Sequence, residues 1–206
     1  MQIERIVSFS NSENCYLVFD DEKNGIIIDP GSEAEEIEAL INELGVKVSD
    51  ILLTHCHYDH IWGLKELKKK LNAKVSSSFE CNQNIQNPNV NMSFFQERVL
   101  KEEPSDNILT DGAILSVGNL KIKAIHTPGH TNGGMCFLIE DHLFSGDTLF
   151  LRSIGRCDLP KGDEEALKKS IKEKLYTLDD DIIVHPGHGN DTKIYYEKRY
   201  NMYVRG

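Results

Sequence analysis

The stretch "THCHYDHIWG", residues 54–63, places His55, His57, Asp59 and His60 within six consecutive positions. The apolar run "DILLT" ends directly before it, and such a run reads as a short strand buried on both faces. Four metal-ligand side chains therefore crowd the loop at a strand end. A loop of this length cannot close a coordination sphere, so the remaining ligands must come from elsewhere in the chain. His55 and His57, one residue apart, reach the same ion, whereas Asp59 and His60 belong to the next turn and address a second. Cys56 between the histidines points the opposite way in an extended or tightly turned segment and is expected to pack into the protein.

Outward from the loop, the chain alternates between β-rich and helical patterns. "QIERIVSF" and "NCYLVFD" read as strands, with "DEKNG" turning the second into "GIIID". "EAEEIEALINELG" has helical spacing at Ile37, Leu40, Ile41 and Leu44, with Gly45 as its stop. "IWGLKELKKKL" resumes a helix after the histidine loop, with Leu64, Leu67 and Leu71 on one face. The Ser- and Asn-rich stretch "SSSFECNQNIQNPNVNMSFF" is predicted to loop over the surface with a short helix. Further strands follow in "AILSVG", "LKIKAIHT", "GGMCFLIE" and "HLFSGD". "DEEALKKSIKEKLYTL" is an amphipathic helix, "DIIVHPGHG" a strand ending in a turn, and "TKIYYEKRYNMY" a closing helix.

Two halves emerge, each with strands followed by helices. Pro-Gly-His occurs twice, at 128–130 and 186–188: a strand ends, Pro and Gly turn the backbone, and a histidine is displayed. His130, Asp147 in "SGDT" and His188 each follow an apolar strand beside a glycine turn, and they are the natural partners of the 55–60 loop. No composition break divides the 206 residues, so a single domain over 1–206 is expected.

Composition narrows the function classes. Hydrophobic content of 39% and charged content of 27% are those of an ordinary soluble globular protein. There is no apolar run long enough to span a membrane. The net charge of −10 argues against nucleic acid as a partner, since that requires Lys and Arg to neutralise phosphates. Five scattered cysteines, without C-x-x-C and without a signal-peptide pattern at the start, suggest reduced thiols in a cytoplasmic protein.

"HCHYDH" matches H-x-H-x-D-H, the signature of the metallo-β-lactamase fold superfamily, and His130, Asp147 and His188 stand in the order that family uses. With "SGDTLF", "GRCDLP" and the final "PGHG", the chain resembles the short, single-domain glyoxalase II-like (hydroxyacylglutathione hydrolase-like) branch from "IIIDPG" onward. The resemblance implies an α/β fold, a four-layer αββα sandwich with two mixed sheets between helices and the site at one edge. It implies His55, His57 and His130 around one metal, Asp59, His60 and His188 around another, and Asp147 between them. It also implies that Asp29 of "IIIDPG" supports the loop by hydrogen bonds. His126, His142 and His185 receive no ligand role.

The implied cofactors are two divalent ions, zinc first, with iron or manganese also accepted by such ligands. The implied reaction is attack on a carbonyl by a hydroxide held between the metals, with Asp59 aiming it. A thioester suits the site because a thiolate leaves without a strong acid. The substrate partner is a small molecule. The tyrosine-rich tail "YYEKRYNMYVRG", residues 195–206, packs as a final helix with a solvated basic face, or lines the cleft mouth or a subunit contact, so a homo-oligomer is compatible with it. Arg156 is a candidate for binding a substrate carboxylate, and a salt bridge with Asp158 competes for the same group.

Two-domain glyoxalase II enzymes use a basic C-terminal extension and a tyrosine where Asp158 stands. Hydrolysis is therefore a firmer expectation than glutathione recognition. The alternatives are an iron-dependent persulfide dioxygenase, which shares part of "GRCDLP" but typically ends its last motif with Pro-Ala-His, or another ester or lactone hydrolase.

Overall fold

The computed structural model describes residues 1–206. The first half of the chain forms a six-stranded sheet in sequential order: β1 (Gln2–Val7), β2 (Asn14–Phe19), β3 (Asn24–Ile28), β4 (Lys47–Leu52), β5 (Lys74–Ser78) and β6 (Asn107–Leu109). β1 to β3 pair antiparallel and β3 to β6 parallel. In the second half, β7 (Ile114–Val117), β8 (Leu120–His126), β9 (Met135–Ile139) and β10 (His142–Gly146) form an antiparallel run. After a two-stranded hairpin, β11 (Leu149–Phe150) and β12 (Ser153–Ile154), the chain returns as β13 (Ile183–Pro186), parallel to β10. β14 (Thr192–Lys193) closes the edge of this second six-stranded sheet.

The period-2 alternation of the strands decides the layering. In β2, Cys15, Leu17 and Phe19 join one core cluster, while Tyr16 and Val18 join another. β3 and β4 divide likewise, Ile27 and Ile51 to one side, Ile26, Ile28 and Leu52 to the other. The first cluster is covered by α1 (Ala34–Leu44) through Ile37 and Ile41, and by α2 (Leu64–Leu71) through Leu64 and Leu67. The middle cluster lies between the sheets, where Ile122, Ala124, Phe137 and Phe144 meet the first sheet. A third cluster packs Ile125, Cys136, Leu143 and Val184 under α4 (Glu164–Ser170) and α5 (Ile194–Tyr200). This is the helix–sheet–sheet–helix sandwich expected from the sequence. "DILLT" is buried on both faces because helices cover one side of the first sheet, over Ile51, and the second sheet covers the other, over Leu52.

Several local expectations are corrected. Ser76, Ser77 and Ser78 are not surface loop but the buried end of β5. Their hydroxyls find partners indoors: Ser78 Oγ donates to Gly133 O at 2.7 Å, and Ser77 Oγ pairs with Ser105 Oγ at 2.7 Å. Satisfied polar groups make a buried strand look like a loop in composition. The short helix expected nearby is α3 (Phe79–Asn84), capped by Ser78 Oγ accepting from Cys81 N.

The helix after the histidine loop begins at Leu64 rather than Ile61. Gly63 first donates its N–H to Pro30 O at 2.9 Å, and a Cβ there would lie 2.4 Å from Ser32 O. Beyond Ser170, α4 loosens into a π-helical turn over Ile171–Leu175. β6 and β14 were too short to leave a pattern. No helix is long and apolar enough to cross a membrane.

Candidate metal centre

Four strand ends converge at one edge of the sandwich. The loop after β4 carries His55, His57, Asp59 and His60; His130 follows β8, Asp147 follows β10 and His188 follows β13. All are carboxyl ends, where open α/β sheets commonly place ligands. The structure brings the seven sequence-predicted residues together. His55, His57 and His130 form one group whose ligand atoms lie within 4.8 Å of one another, and Asp59, His60 and His188 form a second. Asp147 stands between them, its Oδ1 3.4 Å from His60 Nε2 and its Oδ2 3.6 Å from His130 Nε2 and 3.8 Å from His188 Nε2.

The hydrogen bonds around the histidines fix their tautomers. His60 Nδ1 donates to Asp29 Oδ2 at 2.9 Å, His130 Nδ1 to Arg156 O at 2.7 Å, and His188 Nδ1 to Ser12 O at 3.1 Å. Thr54 Oγ1 donates to Asp29 Oδ2 and so accepts from His55 Nδ1 at 3.1 Å. In each of these four rings Nδ1 carries the proton, and the lone pair of Nε2 faces the centre. Tethering the outer nitrogen in this way is the usual support of a metal-binding imidazole. His57 differs, since its Nδ1 lies 2.9 Å from His130 Nε2 and a proton or a cation must sit between them.

Four atoms of the centre lack protein partners. His55 Nε2, His57 Nε2, His60 Nε2 and Asp147 Oδ1 are buried with no hydrogen bond. Buried polar atoms are seldom left so, and a cluster of four, all nitrogen or carboxylate oxygen, fits cations. Burial, helped by the neighbouring histidines, holds His55 well below the ordinary imidazole range and lowers His57 to about 3, which keeps both neutral. Burial opposes charge on Asp147, but His60, His130 and His55 outweigh it and hold the carboxyl well below its usual range. Neutral His55 and His57 suit a divalent ion. His60 and His188, against the effect of burial, are raised above the ordinary imidazole range by the carboxylates of Asp147 and Asp59, so a cation there replaces protons.

Asp29 braces the loop from behind. Its Oδ1 accepts the Thr54 N–H at 2.7 Å, and its Oδ2 takes the Thr54 hydroxyl and His60. Its backbone is left-handed, φ 51°, a conformation Asp tolerates better than most residues. Cys56 is buried in the helix-side core, as alternation requires. His126 bonds Asn132 O, and His142 and His185 bond each other at 2.8 Å on the far side of β13.

The centre opens into a cleft of about 490 Å³ whose walls include Tyr58, Met92, Phe150, Ile154 and Leu159. Arg156 is also on the wall, with its guanidinium exposed. It is engaged by Asp158 in a two-point ion pair, Nε to Oδ1 at 2.7 Å and Nη2 to Oδ2 at 2.6 Å. Of the two readings of Arg156, the internal salt bridge is the one found, because the partner stands two residues away on the same loop. A wider hollow of about 660 Å³, between α2 and residues 98–102, holds no histidine and lies apart from the centre.

Sequence reasoning missed Glu13, which is fully buried with neither carboxylate oxygen hydrogen-bonded and Oε1 3.8 Å from His60 Nδ1. Burial pushes its carboxyl well above the usual range. Nothing in "SNSENCY" marks it, because an acid before a strand ordinarily faces water.

Comparison with known proteins identifies relatives of the chain. The family model described as the metallo-beta-lactamase superfamily matches residues 11–188. The chain is 38% identical to hydroxyacylglutathione hydrolase GloC of Haemophilus influenzae, over 99% of this chain and 98% of that protein. Among solved structures, the BLEG-1 B3 metallo-beta-lactamase superposes with a TM-score of 0.94 at 32% identity, covering all of both chains. TTHA1623 in a di-iron-bound form superposes with a TM-score of 0.85 at 32% identity, over 98% of this chain and all of the other.

Proposed function

The chain belongs to the metallo-beta-lactamase superfamily as a metallo-hydrolase, and from that membership we propose that it hydrolyses a small thioester at a two-cation centre. His55, His57 and His130 would hold one ion and Asp59, His60 and His188 the other, with Asp147 shared. One observation carries the two-ion reading. Asp147 sits between both triads with Oδ1 buried and unpartnered, and the space beside it is kept open by Gly187. A Cβ at Gly187 would lie 2.4 Å from Asp147 Oδ1 and 2.6 Å from His60 Cε1.

Cations bound there supply polarisation of a carbonyl and lower the pKa of bound water toward about 7. The chain itself does the rest. His55 and His57 enter neutral, and the outer nitrogens of His55, His60, His130 and His188 are held by Thr54, Asp29, Arg156 O and Ser12 O. Asp59 borders the cleft with Oδ2 3.3 Å from His188 Nε2, where it can accept a hydrogen bond from the attacking water and orient it. Met92, Phe150 and Leu159 give the acyl part an apolar wall. A thiol leaving group, with a pKa near about 8.5, departs without a strong general acid.

The 38% identity to a hydroxyacylglutathione hydrolase supports a thioester of the lactoylglutathione kind. Imidazole and carboxylate donors accept zinc, iron or manganese, and zinc is the metal proposed. Oxygen-dependent persulfide chemistry at a single iron is the competing reading, and Gly187 speaks against it.

The test is elemental analysis of the purified protein, with turnover of lactoylglutathione and simpler thioesters measured beside oxygen uptake on a persulfide. Two zinc ions with thioester turnover is the expected result. One iron with oxygen uptake overturns the proposal.

A further inference from the structure

The five proposed histidine ligands are not supported from the same part of the chain. His55, His60 and His130 are tethered by Thr54, Asp29 and Arg156 O, none of which lies in the N-terminal hairpin. His188 is the most exposed of the ligand imidazoles, with 29% of its side chain accessible, and Gly189 beside it has the left-handed φ of 79°. Its loop is held from the opposite sheet, by the N-terminal hairpin.

The contacts are specific. Ser12 O accepts from His188 Nδ1 at 3.1 Å, and Asn14 N–H donates to Gly187 O at 2.7 Å. The Asn14 side-chain amide donates to two carbonyls at once, Pro186 O at 2.9 Å and Gly189 O at 3.0 Å, which lie on either side of His188. Tyr16 OH, two residues along β2 and so on the same face, donates to Pro186 O at 2.7 Å. Glu13 and His188 form an isolated antiparallel bridge. Asn14 and Tyr16 are both buried, 2% and 3% exposed, so water does not compete for these bonds.

We propose that Asn14, with Tyr16 behind it, is a positioning residue for the second cation alone. It clamps the Pro186–Gly189 turn so that His188 Nε2 faces Asp59 and Asp147. This rests on the two-ion reading above. The reason is geometric: an amide with two donors spans the two carbonyls flanking the ligand, and no hydrogen bond of the Asn14 or Tyr16 side chain reaches the loops of His55, His57 or His130. Loss of the clamp lets the 187–190 turn swing while the first triad keeps its tethers.

The experiment uses the full chain stripped of metal and titrated with Co²⁺, followed by visible absorption and by elemental analysis. Asn14→Leu, of similar size but without donors, is expected to raise the second dissociation constant at least about 10-fold, the usual effect of losing outer support, and to leave the first unchanged. Tyr16→Phe, which removes one hydroxyl and keeps the packing, should move the second constant in the same direction by less, and it stands in if Asn14→Leu does not fold. Two ions bound with unchanged constants overturn the clamp. Parallel weakening of both ions also overturns it, since that marks general loosening. A wild-type protein that binds only one Co²⁺ overturns the two-ion reading itself, whatever the variants do.

Discussion

Asp29 Oδ2 and His60 Nδ1 meet at 2.9 Å across a gap of 31 residues in sequence, joining the turn after β3 to the turn after β4. The same carboxylate takes the Thr54 N–H, so one side chain sets both the loop's path and a ligand's tautomer. Asp29→Asn tests this cleanly, because Asn also tolerates the left-handed backbone found here. The amide has one acceptor oxygen for three donors. Metal affinity is expected to fall by about 10- to 100-fold with the fold retained, measured by competition with a chelator. Unaltered affinity would remove Asp29 from the support of the site.

Gly187→Ala addresses the space between the triads. The added Cβ meets Asp147 Oδ1 and His60 Cε1 at 2.4 and 2.6 Å, far inside contact distance. Elemental analysis should fall from two ions to one per chain, and thioester turnover should drop at least about 10²-fold, as for removal of a principal charge stabiliser. A variant that keeps two ions would mean the loop yields and that Gly187 is not needed for them.

Asp158 neutralises the cation on the cleft wall. Both partners are more than half exposed, so the pair adds little to stability. Asp158→Asn frees Arg156. KM for a thioester bearing carboxylates is expected to fall by about 5- to 10-fold, the scale of one charge-assisted hydrogen bond, with KM for an uncharged thioester unchanged. Equal shifts for both substrates would place Arg156 outside the binding mode.

Glu13 makes the metal-free protein sensitive to pH. Its carboxyl, ordinarily near 4.5, is raised in the folded state, chiefly by burial. Below 4.5 it is protonated in both states. Above that, the unfolded chain releases the proton and the native state keeps it, so stability falls as pH rises, until the folded group ionises as well. Glu13→Gln cannot titrate. Urea unfolding of both metal-free proteins should therefore show the variant gaining on wild type as pH rises from about 4.5 toward 7, at up to about 1.4 kcal/mol per pH unit. Parallel pH profiles would show that Glu13 is solvated in solution.

The strand faces and the ring of seven candidate ligands were legible in the residues, and the layer order in the family resemblance. Strict alternation in β2 and β3, and two-sided burial at Ile51 and Leu52, follow from the β-strand period, which sends neighbouring side chains to opposite faces. His55, His57, Asp59 and His60 were legible because one loop carries them, and His130, Asp147 and His188 because each ends an apolar strand at a glycine turn. Tertiary structure alone decided what surrounds that ring. The Ser76–Ser78 run became a buried strand because partners at Gly133 and Ser105 satisfy its hydroxyls. Glu13, Asn14 and Tyr16 became neighbours of His188 only when the two sheets closed face to face. Local periodicity is written into consecutive residues, whereas a hydrogen bond between Asn14 and Pro186, 172 positions apart, exists only in the assembled fold.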